Sequence, residues 1–168
     1  MTAAKDRPAV PTAAPAPMGA AALTDFLRAE IPLTAALDVT VERYEPGLIR
    51  IAVPLAPNRN YRGVGFGGSL ATLAIVTAWA LVRQSALEAG IDAHPVVQRS
   101  DCEFLKPARS GFTAVSRLPD AAEWARFLGA LREKGRARVD IDTEIESDGV
   151  CVLRQRARFF AMVDAAAR

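Results

Sequence analysis

Between Arg62 and Arg83 the chain runs for 20 residues, Gly63 to Val82, without one charged side chain. A helix of that length spans about 30 Å, so length alone would allow a bilayer crossing. The residue types argue otherwise. Gly63, Gly65, Gly67 and Gly68 crowd the first six positions, Ser69, Thr72 and Thr77 dilute the rest, and no second such run follows. Glycines at that density predict a loop. The apolar run behind them predicts a helix that is hydrophobic all round and must be buried on every side.

The remaining segments supply mostly strands to bury it. Thr24 is expected to open a short helix (Asp25, Phe26, Leu27) that stops near Pro32. Val39 to Tyr44 and Leu48 to Leu55 read as a hairpin, with Pro46 fixing φ and Gly47 supplying a positive one. Pro95 to Pro107 and Phe112 to Leu118 read as two more strands. Asp120 followed by Glu123 is an acidic capping box. Behind it Trp124, Phe127, Leu128 and Leu131 form a core-facing helical stripe, ended by Gly135. From 136 to 146 charged residues alternate with Ala137, Val139, Ile141, Thr143 and Ile145, and Arg154, Arg156 and Arg158 alternate in the partner, a long half-buried hairpin.

The register of that hairpin follows from its faces. A two-residue Asp148-Gly149 turn carried straight through sets Asp142 opposite Gln155 and puts acids on the apolar face, which one buried face forbids. A three-residue loop of Ser147, Asp148 and Gly149 pairs Asp142 with Arg154 and Asp140 with Arg156. That register is expected.

Length points to one domain. The organisation expected is an Ala/Pro-rich disordered tail over 1–22, a domain over 23–163 and a short tail over 164–168. Pro8, Pro11, Pro15 and Pro17 interrupt any signal-peptide core, and Met18 is an alternative start. Cys102 and Cys151 fall in strand-like runs and read as small core residues, which suits a reducing cytoplasm. A net charge of +2, from 21 basic and 19 acidic residues, argues against a general polyanion binder. The Lys134-Gly135-Arg136-Ala137-Arg138 run continues into four acids, so neither nucleic acid nor membrane is an expected partner. Two cysteines and one histidine leave little for a metal centre, and no cofactor is expected.

Gly63 to Gly68 matches G-x-G-x-x-G formally, but Pro54, Pro57 and the Asn58-Arg59-Asn60 loop replace the strand a dinucleotide fold needs. Glu88, about twenty residues on, lies near the end of the same helix and not at a strand end. Two readings of the glycines stand level. The helix start offers unpaired N–H groups and a positive dipole to a phosphate or a developing oxyanion; alternatively, the glycines allow close packing on a sheet.

The segments Ala56-Pro57-Asn58-Arg59-Asn60, Phe66-Gly67-Gly68-Ser69-Leu70, Val96-Val97-Gln98, Phe104-Leu105-Lys106-Pro107 and Gly135-Arg136-Ala137-Arg138, in this order and spacing, resemble a bacterial thioesterase-like branch of the hot-dog superfamily. That domain also occurs fused behind an acetyltransferase domain. The resemblance covers roughly Leu23 to Val163. It implies an α+β fold, a single antiparallel sheet wrapped around the long central helix, with an extra short helix between the middle and last strands. It also implies acyl-thioester chemistry, with coenzyme A or acyl carrier protein as the thiol and coenzyme A only as part of the substrate. Related thioesterases open the helix with His-Gly-Gly and carry a water-activating carboxylate one to two turns later. Here Phe66 takes the histidine position and Ile75 falls where the carboxylate is expected. Isoleucine neither positions nor deprotonates water.

The expected catalytic set is therefore Gly67 and Gly68 for carbonyl polarisation, with Asn60, Ser69 or Thr72 to position water. Asn58, Phe66, Gln98 and Ser100 are expected to bind substrate, the last two because Val96, Gln98, Ser100, Cys102 and Phe104 share one strand face. Each polar residue also has a plain structural role open to it: an N-cap for Ser69, a back-bonded hydroxyl for Thr72, Asx-turns for the asparagines. Asp101 falls on the opposite face, and His94, before Pro95, reads as solvent-facing. Arg59, Arg62, Lys106 and Arg109 are candidates for coenzyme A phosphates. An open sheet edge and a one-sided cleft imply at least a homodimer. The rival reading is a non-catalytic acyl-CoA or lipid-binding module.

Overall fold

Helix α3 forms where the uncharged run places it, at Gly67–Glu88, in a computed structural model that describes residues 15–163. Residues 1–14 of the tail expected over 1–22, and the whole tail expected over 164–168, lie outside the described residues. Six antiparallel strands surround α3: β1 (Thr40–Glu45), β2 (Leu48–Val53), β3 (Ala93–Phe104), β4 (Phe112–Arg117), β5 (Arg136–Ser147) and β6 (Val150–Val163). Their order across the sheet is β1-β2-β4-β5-β6-β3, so the 12-residue β3 is an edge. Helix α4 (Ala121–Lys134) crosses between β4 and β5. This is the α+β hot-dog arrangement that the resemblance implied.

The core joins α3 to the inner face of the sheet. Leu73 and Leu81 on the helix, Ile49 and Ile51 on β2, Ile145 on β5 and Leu153 and Phe159 on β6 are all fully buried. Each such side chain contributes ~1.5–3 kcal/mol of transfer free energy. By length and composition α3 would cross a membrane, but most of it is buried inside this protein. One stripe stays half-open: Thr72, Ile75, Trp79 and Arg83, at helical spacing.

Two local signals behave as expected. Asp120 Oδ1 accepts from Glu123 N at 2.8 Å, and Gly135 ends α4 with φ +66. The first helix, α1, differs: it spans Ala20–Glu30 and buries Leu23, so it starts four residues before Thr24 and takes in the last three residues of the expected tail. A second short helix, α2 (Pro32–Ala36), starts at the proline expected to end the first, because proline at a first helical position costs nothing.

The register of the last hairpin corrects the expected one. Asp148 and Gly149 form a two-residue turn with φ of +52 and +70, and Ser147 pairs with Val150. A bulge then intervenes, because Glu146 faces Cys151 while Ile145 faces Leu153, leaving Val152 extra. Asp142 therefore faces Arg156 and Asp140 faces Arg158, two residues from the expected pairing. Acids still meet arginines on the outer face. The bulge restores the parity that the expected three-residue loop would have supplied.

Candidate active site

The loop ahead of α3 is built to present the helix start bare. Asn58 is 1% exposed, and its Nδ2 donates to the carbonyls of Leu37 and Pro54, both at 2.8 Å. Its own carbonyl accepts from Phe66 N at 2.7 Å. Asn58 thus rivets the loop from beneath, with its Oδ1 buried and without a partner among the described residues. Asn60 closes a turn, its Oδ1 accepting from Arg62 N at 2.9 Å and Val64 N at 3.4 Å. That Asx-turn occupies Oδ1, while Nδ2 makes no hydrogen bond among the described residues. Gly63, at φ +75, makes the reversal possible. Gly65 N donates to Ala108 O at 2.8 Å, tying this loop to the β3–β4 loop.

Phe66 then caps α3 with extended backbone and no side-chain hydrogen bond. Among the described residues the N–H groups of Gly67, Gly68 and Ser69 meet no protein acceptor. Two aromatic rings roof this helix start. A Cβ added at Gly67 would lie 3.4 Å from Phe104 Cε1, and one at Gly68 would collide with the Phe66 ring. Both rings are 55% exposed, so the roof faces outward. Ser69 is buried and makes no side-chain hydrogen bond among the described residues; it is not the N-cap. Thr72, one turn on, is half-buried on the open stripe, and no back-bond to Gly68 forms. Thr77 shows the contrast, donating to Leu73 O at 2.7 Å.

The edge strand divides the remaining candidates. Ser100 stays on the inner face and accepts from Gln155 Nε2 at 2.9 Å. Gln98 does not. Val97 faces Phe159 and Arg99 faces Arg158, so Gln98 is the extra residue of a bulge. Its Oε1 accepts from Arg138 Nε at 2.9 Å, on the outer face where Arg138 also covers the Phe160 ring. Unbroken alternation was the basis for placing Gln98 and Val96 inside, and the bulge removes it. Asp101 lies outside as expected, opposite Arg156. Gln155 was not singled out from the sequence. Its signal was an amide at an apolar-face position, between Leu153 and Ala157.

The two loops that flank the helix start carry charge of one sign. No acid occurs between Glu45 and Glu88, whereas Arg59, Arg62, Lys106 and Arg109 stand exposed on the two loops that the Gly65–Ala108 bond ties. None of the four forms an ion pair among the described residues. A separate groove of about 470 Å³ lies where β3, β6 and β5 meet, but its arginines, Arg154 and Arg156, already pair with Glu144 and Asp142. Bare N–H groups, a positive helix end and unpaired cations suit an anion or a carbonyl that acquires negative charge.

A family model described as "Putative thioesterase (yiiD_Cterm)" matches residues 20–163. The chain belongs to this thioesterase family. Solved structures agree on the hot-dog fold. A Chlorobaculum tepidum protein of unknown function superposes with a TM-score of 0.82 at 23% identity, covering 86% of this chain and 94% of that one. A Shewanella oneidensis protein described as a "putative thioesterase" gives 0.76 at 21% identity, covering 86% and 97%. A Haemophilus influenzae thioesterase gives 0.69 at 13% identity, covering 87% and 92%. No curated protein matches the sequence. The family model begins at the first residue of α1, which places α1 within the family domain.

Proposed function

We propose that the protein hydrolyses acyl thioesters of coenzyme A, binding the thioester carbonyl at the start of α3. The observation that carries this reading is the uncapped helix end, where Gly67, Gly68 and Ser69 N–H groups lack protein acceptors under the Phe66 and Phe104 rings. Such donors stabilise an oxyanion without reorganising during the reaction. The four unpaired cations on the flanking loops support a phosphate-bearing thiol, and among coenzyme A and carrier protein we assign coenzyme A. Thr72 and Ser69 hydroxyls are the free polar groups nearest the carbonyl, and Thr72 lies on the open stripe. The acyl group enters between that stripe and β3. A second copy of the chain completes the cleft by pairing along β3, whose Val96 and Val97 are 48% and 43% exposed. The two unpaired cysteines suit a cytoplasmic site of action.

A second reading, an acyl-CoA-binding module without turnover, is favoured by one residue: Ile75, where the family resemblance expects a carboxylate. Thiol release from a panel of short, long and aromatic acyl-CoAs separates the two. Hydrolysis is expected with at least one acyl class. Tight binding with no release from any would establish the module and overturn the hydrolase.

A further inference from the structure

A polar row crosses four strands on the inner face of the sheet. Ser116 on β4 stands opposite Thr143 on β5, Thr143 opposite Gln155 on β6, and Gln155 opposite Cys102 on β3. Ser116 and Thr143 satisfy one another at 2.7 Å. Gln155 is different. It is 3% exposed, its Nε2 donates to Ser100 Oγ at 2.9 Å, and its Oε1 is buried without a partner. Turning the carboxamide over exchanges the two ends and leaves the same deficit. A buried polar atom left unpaired is costly; among the described residues Tyr44 Oη, Asn58 Oδ1, Gln84 Nε2 and Ser85 Oγ share the deficit, and Gln155 is the one that stands opposite β3.

Its position suggests the use. Helix α3 runs along β3 between two contacts: the Phe104 ring against Gly67, and Trp79 Nε1 donating to Pro95 O at 2.8 Å. Thr72 lies between these contacts on the helix, and Ser100 and Cys102 lie between them on the strand. The Thr72 hydroxyl, which has no protein partner among the described residues, thus falls within this span, about a helical turn from the Gly67 and Gly68 N–H groups, and the half-satisfied Gln155 amide lies opposite Cys102 of the same span.

We infer that Thr72 and Gln155 together hold the water that attacks the thioester, in place of the carboxylate that Ile75 does not supply. The inference rests on the hydrolase reading above. The water oxygen bonds to the carbonyl carbon, the carbon–sulfur bond breaks, and the electron pair leaves on sulfur. Solvent takes one proton from the attacking water and returns one to the thiolate. Neither the hydroxyl nor the amide accepts a proton; both orient.

The test compares wild type with Thr72→Val, Gln155→Met and the double variant, in thiol release and in binding of a non-hydrolysable acyl-CoA thioether. Each single variant is expected to lose about tenfold or more in kcat, the scale of one lost hydrogen bond, with thioether binding within twofold of wild type. The double variant is expected to lose little beyond either single one, because the pair acts as a unit. Should Gln155→Met not fold, Gln155→Glu is measured beside Thr72→Val in its place, and kcat above that of Thr72→Val is expected because a carboxylate orients water and also accepts its proton. Wild type without thiol release would overturn this inference and the hydrolase reading together. Wild-type turnover with unchanged kcat in the variants, or a loss of kcat matched by a loss of binding, would overturn this inference alone.

Discussion

Gly67 and Gly68 lie side by side in the first turn of α3, yet only one is tightly confined. A methyl group at Gly67 reaches ordinary contact with Phe104, whereas one at Gly68 overlaps the Phe66 ring. Neither glycine has a positive φ, so the constraint is steric and not conformational. Gly68→Val is expected to push Phe66 aside and cover the N–H groups while leaving the helix intact. Thiol release should fall by ~10²–10³, as when one oxyanion donor is lost, and the circular-dichroism melting temperature should stay within a few degrees. Normal turnover in the folded variant would make the glycine pair purely structural. At this scale the sequence was legible only where a role is local. The Asn60 turn runs only from 60 to 64, so its structural role is local. Asn58 was ambiguous because its partner Leu37 is 21 positions away.

Among the elements, α4 is the one whose ends were written most plainly. Its cap is a local hydrogen bond between Asp120 Oδ1 and Glu123 N, 2.8 Å long. Asp120→Ala should cost ~1 kcal/mol in urea unfolding, with α4 otherwise unchanged. The last hairpin was legible in its faces and not in its register. Alternation identifies which residues share a face, but a bulge breaks the count, and here the adjacent buried Val152 and Leu153 mark the break. The same failure moved Gln98 out of the site on β3. The observed register makes its own prediction. Arg158 hydrogen-bonds Asp140 at 2.7 Å and, with Arg156, holds its carboxyl below the ordinary range, against a smaller opposing effect of burial. The stability this adds is fully present above an unfolded carboxylate pKa of ~3.9 and is lost as the pH falls through the depressed folded value. Melting temperature followed from pH 6 to pH 2 should therefore drop less steeply for Asp140→Asn than for wild type. Parallel curves would show that the pair adds nothing.

Across the whole molecule, the topology was carried by one constraint: an uncharged 20-residue run has to be enclosed, and the remaining segments are mostly strands. What that constraint leaves open is the edge. β3, paired with β6 on one side, offers an open edge along its 12 residues beside exposed Val96 and Val97. Val97→Lys is expected to convert a dimer to a monomer in sedimentation velocity and to abolish thiol release, since the cleft loses a wall. A wild-type monomer at micromolar concentration, or a fully active Val97→Lys monomer, would contradict the shared cleft. The site was partly legible for the same reason as the fold. The helix start announces itself in glycines, whereas its polar neighbours are assembled from β3 and β6, some 30 and 85 residues downstream, with no local signature.

The central claim is that the thioester carbonyl sits on the bare start of α3. A crystal structure of the protein with a non-hydrolysable acyl-CoA analogue that retains the carbonyl tests it most directly. The account predicts the carbonyl oxygen at ~2.7–3.1 Å from the backbone nitrogens of Gly67 or Gly68, with the nucleotide phosphates beside Arg59, Arg62, Lys106 or Arg109. An acyl group bound in the outer groove between Asp101, Arg154 and Asp142, with the helix start empty, would contradict it.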